Sequence, residues 1–241
     1  MESIDHIDIV VTHKCNFKCP FCIDKFCNSS DKEIELSTIG DWLGKIRNKA
    51  NPGCEVLLLG GEPTTLDTSK LIDIAKTIRL NGFVPIMSTN GFFKEKIIEI
   101  MPYYEWIQVT VCNQSQIDFW RQYKDKINIK LSGDKSFDMD RLVWFDSSTK
   151  DFVRRSVSMY FTPDFKELCE DEKVWKLLDS LEWKRNGSYR YAFWNGIRFK
   201  KCIPNETNII DEPSVPKLYP NGNYNKTWND ELMDDYLNLF G

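Results

Sequence analysis

The feature that most constrains the fold of this chain is a regular alternation of short apolar runs with longer amphipathic segments. The first apolar run, Ile7–Val11, is rich in β-branched residues and has the length of a buried strand. The next segment, Ser37–Lys49, carries apolar residues at helical spacing, among them Ile39, Trp42 and Leu43. The chain therefore begins as a strand followed by a helix.

The alternation continues as six predicted strand–helix units. The predicted strands are Ile7–Val11, Glu55–Leu59, Phe83–Ser88, Trp106–Cys112, Ile127–Leu131 and Val153–Phe161. The predicted helices are Ser37–Lys49, Leu71–Leu80, Phe93–Met101, Ser115–Lys126 with Ser115 as its cap, Met139–Phe145 and Phe165–Leu181. Continuous apolar strands joined by helices favour a parallel sheet with helices outside. Six units are too few for a closed eight-unit barrel, so we predict an α/β fold, a partial (β/α)6 TIM-like barrel.

The pattern changes after about residue 181. Asn195-Gly196 lies in the middle of an alternating stretch and predicts a β-hairpin, and a second turn is predicted at Pro220–Asn223. An amphipathic segment from about Asn229 to Phe240 predicts a terminal helix. We therefore predict a core at residues 1–181 and a small C-terminal appendage of hairpin, turns and helix at residues 182–241, packed on the barrel.

Composition narrows the function classes. A net charge of −4 argues against general nucleic-acid binding, and Ile7–Val11 is too short for a signal peptide or a membrane span. We therefore expect a cytoplasmic protein that does not enter a membrane. The chain has two histidines, which nearly excludes three-histidine zinc sites, and eight cysteines, which in the cytoplasm are more often metal ligands or buried residues than disulfides.

Three cysteines follow the first predicted strand at the spacing Cys-x3-Cys-x2-Cys. They are Cys15, Cys19 and Cys22, and three thiolates on one loop can converge on one metal centre. A cubane [4Fe–4S] cluster normally takes four cysteines, so three leave one iron open to a small molecule. The spacing alone also admits a zinc site completed by His13 or Cys27, and a redox dithiol formed by Cys19 and Cys22.

Two further motifs at predicted strand ends, together with the cysteines, carry a family resemblance. Phe21 precedes the last cysteine, Leu59–Thr64 ends the second strand with the Gly-Gly-Glu motif of Gly60, Gly61 and Glu62, and Ser88–Gly91 ends the third. Over about residues 5–165 the chain resembles the radical S-adenosylmethionine (radical SAM) superfamily. The resemblance implies one [4Fe–4S] cluster on the three cysteines, with S-adenosylmethionine on the open iron. It also implies reductive cleavage to a 5′-deoxyadenosyl radical that takes a hydrogen atom from the substrate.

The resemblance implies the cofactor-binding residues as well. The two glycines would let backbone approach the cofactor, the glutamate would accept the methionine ammonium, and Phe21 would lie beside the adenine. Strand packing and turn capping explain Thr89, Asn90, Ser132 and Phe161 about as well as a cofactor role does. The predicted cofactor-binding residues are Phe21, Gly60, Gly61, Glu62, Pro63, Thr89, Asn90, Ser132 and Phe161.

Other residues raise questions of catalysis and partners. Cys112 ends the fourth predicted strand and is a candidate hydrogen-atom donor, with a buried small residue as the alternative. Lys14, Lys18 and Lys25 interleave the cysteines and would steer an acidic electron donor such as flavodoxin or ferredoxin, unless they are ordinary solvated charges. Cys202 stands alone in the tail, so we expect one cluster and no auxiliary cluster.

The substrate class stays open between a small molecule and a peptide. One alternative function is that of an activase, which generates a glycyl radical on a partner protein. Another is a zinc-binding or non-catalytic module with the same fold.

Overall fold

The computed structural model describes residues 4–19, 22, 28–133, 139–159 and 216–225. The chain divides into two compact units. One unit comprises residues 1–18, 24–108 and 213–241, and the other comprises residues 19–23 and 109–212. Among the described residues, no helix combines the length and the apolar character needed to cross a membrane.

Strands and helices alternate along the described chain. In chain order they are β1 (Ile4–Thr12), α1 (Leu36–Ile46), β2 (Ala50–Gly60), α2 (Thr68–Leu80), β3 (Val84–Thr89), α3 (Lys94–Ile100), β4 (Ile107–Val111), α4 (Gln114–Trp120), β5 (Ile127–Gly133), α5 (Met139–Thr149), β6 (Arg154–Met159), β7 (Lys217–Leu218) and β8 (Tyr224–Asn225). Short 3-10 helices occupy Arg47–Lys49, Pro63–Thr65, Met101–Tyr103 and Arg121–Tyr123.

Both units are built on parallel strands. In the first unit the strand order is β3-β2-β1-β7-β8, and β1 pairs in parallel with β2 on one side and with β7 on the other. β8 is antiparallel to β7. In the second unit the order is β6-β5-β4, and β5 and β6 pair in parallel from Asn128 with Arg154 to Gly133 with Met159. The predicted parallel α/β fold class is confirmed.

The helices bury the faces that their apolar spacing predicts. α1 buries Ile39, Trp42, Leu43 and Ile46, which recur at three- and four-residue intervals. α2 buries Leu71, Ile74, Ala75 and Ile78 in the same way. Strands β1 and β2 supply the apolar surface that such helices need, since residues 7 and 9–11 of β1 are fully buried.

All six predicted strands are present, and five of the six predicted helices are present. The sixth helix, Phe165–Leu181, the hairpin around Asn195-Gly196 and the terminal helix lie outside the described residues, so the boundary at residue 181 stays a prediction. The turn predicted at Pro220–Asn223 is confirmed. It joins β7 to β8, with Gly222 at a φ of 87°.

Two of the element boundaries that differ from the prediction have a local structural cause. β2 begins at Ala50, which pairs with Ile4, because an irregular stretch before Glu55 keeps the strand in the sheet despite turn-forming residues. Helix α4 begins at Gln114, and its cap is Asn113, whose side-chain oxygen accepts the N–H of Gln116 at 3.1 Å. The prediction that Ser115 caps this helix is therefore wrong.

A buried ion pair fastens β7 to β1. Lys217 is 1% exposed and Asp8 is 2% exposed, and they face each other in the parallel register. The Lys217 Nζ lies 3.3 Å from Asp8 Oδ2, and the other oxygen of Asp8 lies 3.1 Å from Nε2 of His6. Removing one partner would leave a charge buried without its counter-charge, which is much more costly than removing both.

We expect Lys217→Met to lower the free energy of unfolding by about 3 kcal/mol, because Asp8 keeps its buried charge. The double variant Lys217→Met/Asp8→Asn should lose less, because both charges are gone. Urea unfolding measures both, with Lys76→Met, from an exposed pair with Asp73, as the control that should change little. A double variant no more stable than Lys217→Met would contradict this account.

Candidate functional site

The end of β2 is hydrogen-bonded to the start of the segment that carries the cysteines, residues 13–28, hereafter the cysteine loop. The N–H of Gly61 donates to the carbonyl oxygen of Thr12 at 2.8 Å. The N–H of Glu62 donates to the carbonyl oxygen of Lys14, also at 2.8 Å. The Gly-Gly-Glu motif thus fixes the backbone of the loop directly before its first cysteine.

The two glycines of the motif are required by this close approach. A Cβ on Gly61 would collide with the carbonyl oxygens of His13 and Lys14, and a Cβ on Gly60 would collide with that of Thr12. Gly60 also has a φ of 136°, which side-chain-bearing residues rarely adopt. The glycines let the backbone of residues 12–14 approach the end of β2, and their predicted role in binding a cofactor stays a prediction.

Glu62 is a buried carboxylate that joins the ends of two strands. Its side chain is surrounded by donors, and the residue is 2% exposed. Oε1 accepts hydrogen bonds from the N–H of Thr64 at 3.0 Å, from the hydroxyl of Thr64 at 2.5 Å and from the hydroxyl of Thr89 at 2.5 Å. Oε2 accepts from the N–H of Asn90 at 2.7 Å. The carboxylate therefore links the end of β2 to the end of β3.

Burial and hydrogen bonding act on the Glu62 carboxyl in opposite directions. Burial raises the pKa of Glu62 above its ordinary value, and the bonds from Thr64, Thr89 and Asn90 lower it in part. All four of these bonds run toward the carboxylate, so each of its oxygens serves as an acceptor. Both the shape and the charge of the Glu62 carboxylate therefore contribute to holding the ends of β2 and β3 together.

Asn90 carries the same network onward to the cysteine loop. Its side-chain oxygen accepts the N–H of Phe92 at 3.0 Å, and its side-chain nitrogen donates to Oδ1 of Asn16 at 2.8 Å. Asn16 lies directly after Cys15. Asn90 was predicted to reach the methionine or the ribose of the cofactor. In this structure its amide holds the cysteine loop against the end of β3.

Asn28 closes the cysteine loop at its far end, and the sequence analysis missed it. Its φ of 61° makes it the one non-glycine residue with a left-handed backbone among the described residues. Its side-chain oxygen accepts the N–H of Cys15 at 2.9 Å, and its own N–H donates to the carbonyl oxygen of His13 at 2.7 Å. The signal in the sequence was Asn28 followed by two serines, a typical turn composition.

The three cysteines differ in exposure. Cys15 and Cys19 are half-buried, and Cys22 is exposed. The Sγ of Cys15 accepts the N–H of Phe17 at 3.4 Å, and the N–H of Cys22 donates to the carbonyl oxygen of Cys19 at 3.1 Å. Within the part of the chain that the structure describes, no three His, Cys, Asp or Glu side chains come together as a metal site. Ligation by these cysteines therefore stays a prediction.

The donor set nevertheless fits an iron–sulfur cluster. Thiolates are the ligands that such clusters take, and three of them lie within one short loop. The amide of Cys15 is already oriented by the Asn28 side chain, and its sulfur by the backbone N–H at residue 17, which does not depend on the Phe17 ring. His13, the possible fourth ligand of a zinc site, is buried, and Cys27 lies outside the described residues.

The remaining predicted site residues are placed as follows. Pro63 is buried at the start of a 3-10 helix, and Ser132 is buried on β5. Cys112 is exposed, and its N–H donates to Oε1 of Gln116 at 2.6 Å. Its exposure disagrees with the alternative of a buried small residue. Phe21 and Phe161 lie outside the described residues, and the cofactor and catalytic roles of this whole group stay predictions.

Replacing Glu62 by glutamine tests the buried network. We expect Glu62→Gln to lower the free energy of unfolding by about 1–3 kcal/mol, because one acceptor oxygen becomes an NH2 group facing hydrogen-bond donors. Glu99→Gln, at an exposed position of α3, is the matched control and should change stability little. Equal stability of the two variants in urea unfolding would show that the Glu62 carboxylate does not hold the strand ends.

Asn28 can be dissected by two substitutions. Asn28→Gly keeps the left-handed backbone and loses only the acceptor for the Cys15 N–H, so we expect a loss of about 1 kcal/mol. Asn28→Val also forces a β-branched residue into that backbone, and it should cost about 1–2 kcal/mol more. Urea unfolding of the metal-free protein measures both. Indistinguishable variants would mean that the backbone at residue 28 is not constrained as described.

Comparison with known proteins adds an independent line of evidence. The model of the radical SAM superfamily matches residues 9–115. A Methanocaldococcus jannaschii protein, named provisionally as a glycyl-radical enzyme activating enzyme, is 23% identical over 239 residues, 90% of this chain and 81% of its own length. A GTP 3′,8-cyclase of Clostridium perfringens is 34% identical over 78 residues, 32% of this chain and 24% of that protein.

A solved structure matches almost the whole chain. Streptococcus suis SuiB, crystallised with its precursor peptide SuiA, superposes with a TM-score of 0.62 at 15% identity. The match covers 99% of this chain but 65% of the SuiB chain, so the chain spans less than two thirds of SuiB. At this identity the likeness concerns the fold. The fold likeness to SuiB extends over nearly the whole chain, while the match to the radical SAM superfamily model covers β1 to the start of α4, less than half of the residues.

Proposed function

We propose that this chain is a radical SAM enzyme that holds one [4Fe–4S] cluster on Cys15, Cys19 and Cys22. Such a cluster supplies the electron that splits S-adenosylmethionine into methionine and a 5′-deoxyadenosyl radical, which takes a hydrogen atom from the substrate. The observation that carries the proposal is the seating of the cysteine loop on the Gly-Gly-Glu motif. Two motifs far apart in sequence form one hydrogen-bonded structure.

The position of this structure in the sheet supports the proposal. The cysteine loop follows β1, the Gly-Gly-Glu motif ends β2, and Thr89-Asn90 ends β3. These three strands are parallel neighbours, so their carboxyl ends lie at one edge, where α/β enzymes bind their ligands. Glu62 and Asn90 hold the backbone at that edge, and we assign them a positioning role beside any contact with the cofactor.

The remaining parts of the proposal concern the surroundings of the site. We assign Phe21, Ser132 and Phe161 to the adenine end of S-adenosylmethionine, and Cys112 to hydrogen-atom transfer. The electron comes from an acidic carrier such as flavodoxin or ferredoxin. The protein works in the cytoplasm, where thiols stay reduced, and its cluster is sensitive to oxygen.

For the substrate we favour a small molecule or a peptide. The SuiB structure contains a precursor peptide, and the fold of this chain resembles that of SuiB. A second candidate is activation of a partner protein by formation of a glycyl radical, which the name of the M. jannaschii relative favours. A glycyl-radical EPR signal on a co-expressed partner would select the second candidate.

Reconstitution under anaerobic conditions tests the proposal. We expect a brown protein with about four irons and four sulfides per chain, which forms 5′-deoxyadenosine when dithionite and S-adenosylmethionine are added. Alanine at Cys15, Cys19 or Cys22 should abolish this product, because each change removes a cluster ligand. Cys27→Ala and Cys202→Ala are the matched controls and should retain it. A colourless protein that binds zinc would contradict the proposal.

A further inference from the structure

Two exposed aromatic rings and a half-buried third lie together at the cysteine loop: Phe17 belongs to the loop, and Phe92 and Phe93 follow β3. Phe17 is 38% exposed and Phe92 is 58% exposed, although residues of this kind are usually buried. The ring centroids of Phe17 and Phe92 are 5.6 Å apart, and those of Phe92 and Phe93 are 5.0 Å apart, both edge to face. We name these three residues the aromatic rim. A contiguous aromatic surface of this kind marks an interaction site.

The rim is held in place before any partner arrives. Asn16, next to Phe17, is bonded to Asn90, whose side chain also accepts the N–H of Phe92. The Nζ of Lys96 lies 5.5 Å from the ring centroid of Phe93 and donates to the carbonyl oxygens of Thr64 and Leu66. A preformed surface loses little conformational entropy on binding, which favours recognition of a folded partner.

The charge around the rim indicates the chemistry of the partner. Lys14 and Lys18 are exposed on either side of Phe17, with no acidic residue between them. Lys94 and Lys96 follow Phe93, with Glu95 as the one acidic residue of residues 89–96. The chain as a whole has a net charge of −4, so this locally basic edge departs from the rest of the protein. A basic edge selects an acidic partner and accelerates its association.

We propose that the aromatic rim, flanked by Lys14 and Lys18, is the docking surface for an acidic one-electron carrier protein. The inference rests on the proposed function, because it requires a cluster on the cysteine loop. Phe17 is two residues from Cys15 and two from Cys19, so its Cα lies within about 7 Å of each of theirs. A carrier seated on the rim is close enough to the cluster for direct transfer: the carrier loses one electron and the cluster gains it.

Two reductants separate docking from cluster chemistry. Reduced flavodoxin must dock to deliver its electron, whereas dithionite needs no protein surface. We expect Phe17→Ser/Phe92→Ser to lower the kcat/KM for flavodoxin at least about tenfold in 5′-deoxyadenosine formation, because it removes central apolar contacts. The rate with dithionite and the iron content should stay unchanged. Leu80→Ser, at an apolar residue that is 83% exposed at the end of α2, is the control and should leave both rates unchanged.

Binding without turnover gives a second readout. The affinity of flavodoxin for the cluster-loaded protein is measured without S-adenosylmethionine, and it should fall by a similar factor in Phe17→Ser/Phe92→Ser. In Lys14→Gln/Lys18→Gln the same affinity should lose much of its dependence on salt concentration. If Phe17→Ser/Phe92→Ser reacts with flavodoxin and binds it as the wild type does, the inference is overturned, and the aromatic rim binds another partner, such as the substrate. An equal fall with both reductants would also overturn it. If the wild type forms no 5′-deoxyadenosine even with dithionite, the proposed function fails instead.

Discussion

The structure around the cysteine loop depends on one buried carboxylate. Glu62 receives four hydrogen bonds from Thr64, Thr89 and Asn90, and through them it fixes how the ends of β2 and β3 stand beside each other. A charge in this position has been removed from water, which is tolerated only where donors replace the water. Here the hydroxyls of Thr64 and Thr89 and the backbone amides of Thr64 and Asn90 take that place.

The cysteine loop is positioned by this network at three places. Thr12, directly before the loop, is bonded to Gly61, and Lys14 is bonded to Glu62. Asn16 is bonded to Asn90, and Asn28 contacts Cys15 and His13 from the far end of the loop. Backbone held in this way presents Cys15 and the nearby Phe17 in a defined arrangement. The proposed cluster chemistry and the proposed docking of an electron carrier both make use of this positioning of Cys15 and Phe17.

The sequence predicted the secondary-structure elements more accurately than it predicted the contacts of individual residues. The strands and helices follow from apolar spacing, and the buried face of α1 is the one that this spacing indicates. The Gly-Gly-Glu and Thr89-Asn90 motifs also lie at the ends of β2 and β3, as predicted. A motif does not state which atoms its residues contact, however, and the close approach of the two glycines to the backbone of Thr12–Lys14 was not predicted. Asn28 was missed because its role depends on backbone conformation, which its neighbours in sequence do not reveal.

The central claim is that three cysteines hold a cluster with one iron open to S-adenosylmethionine. The most direct measurement is the EPR spectrum of the reduced, reconstituted protein before and after S-adenosylmethionine is added. A cofactor that coordinates the open iron should shift the g-values of the [4Fe–4S]⁺ signal in the wild type. A cluster signal that stays unchanged at saturating S-adenosylmethionine, or the absence of any cluster signal, would contradict the claim.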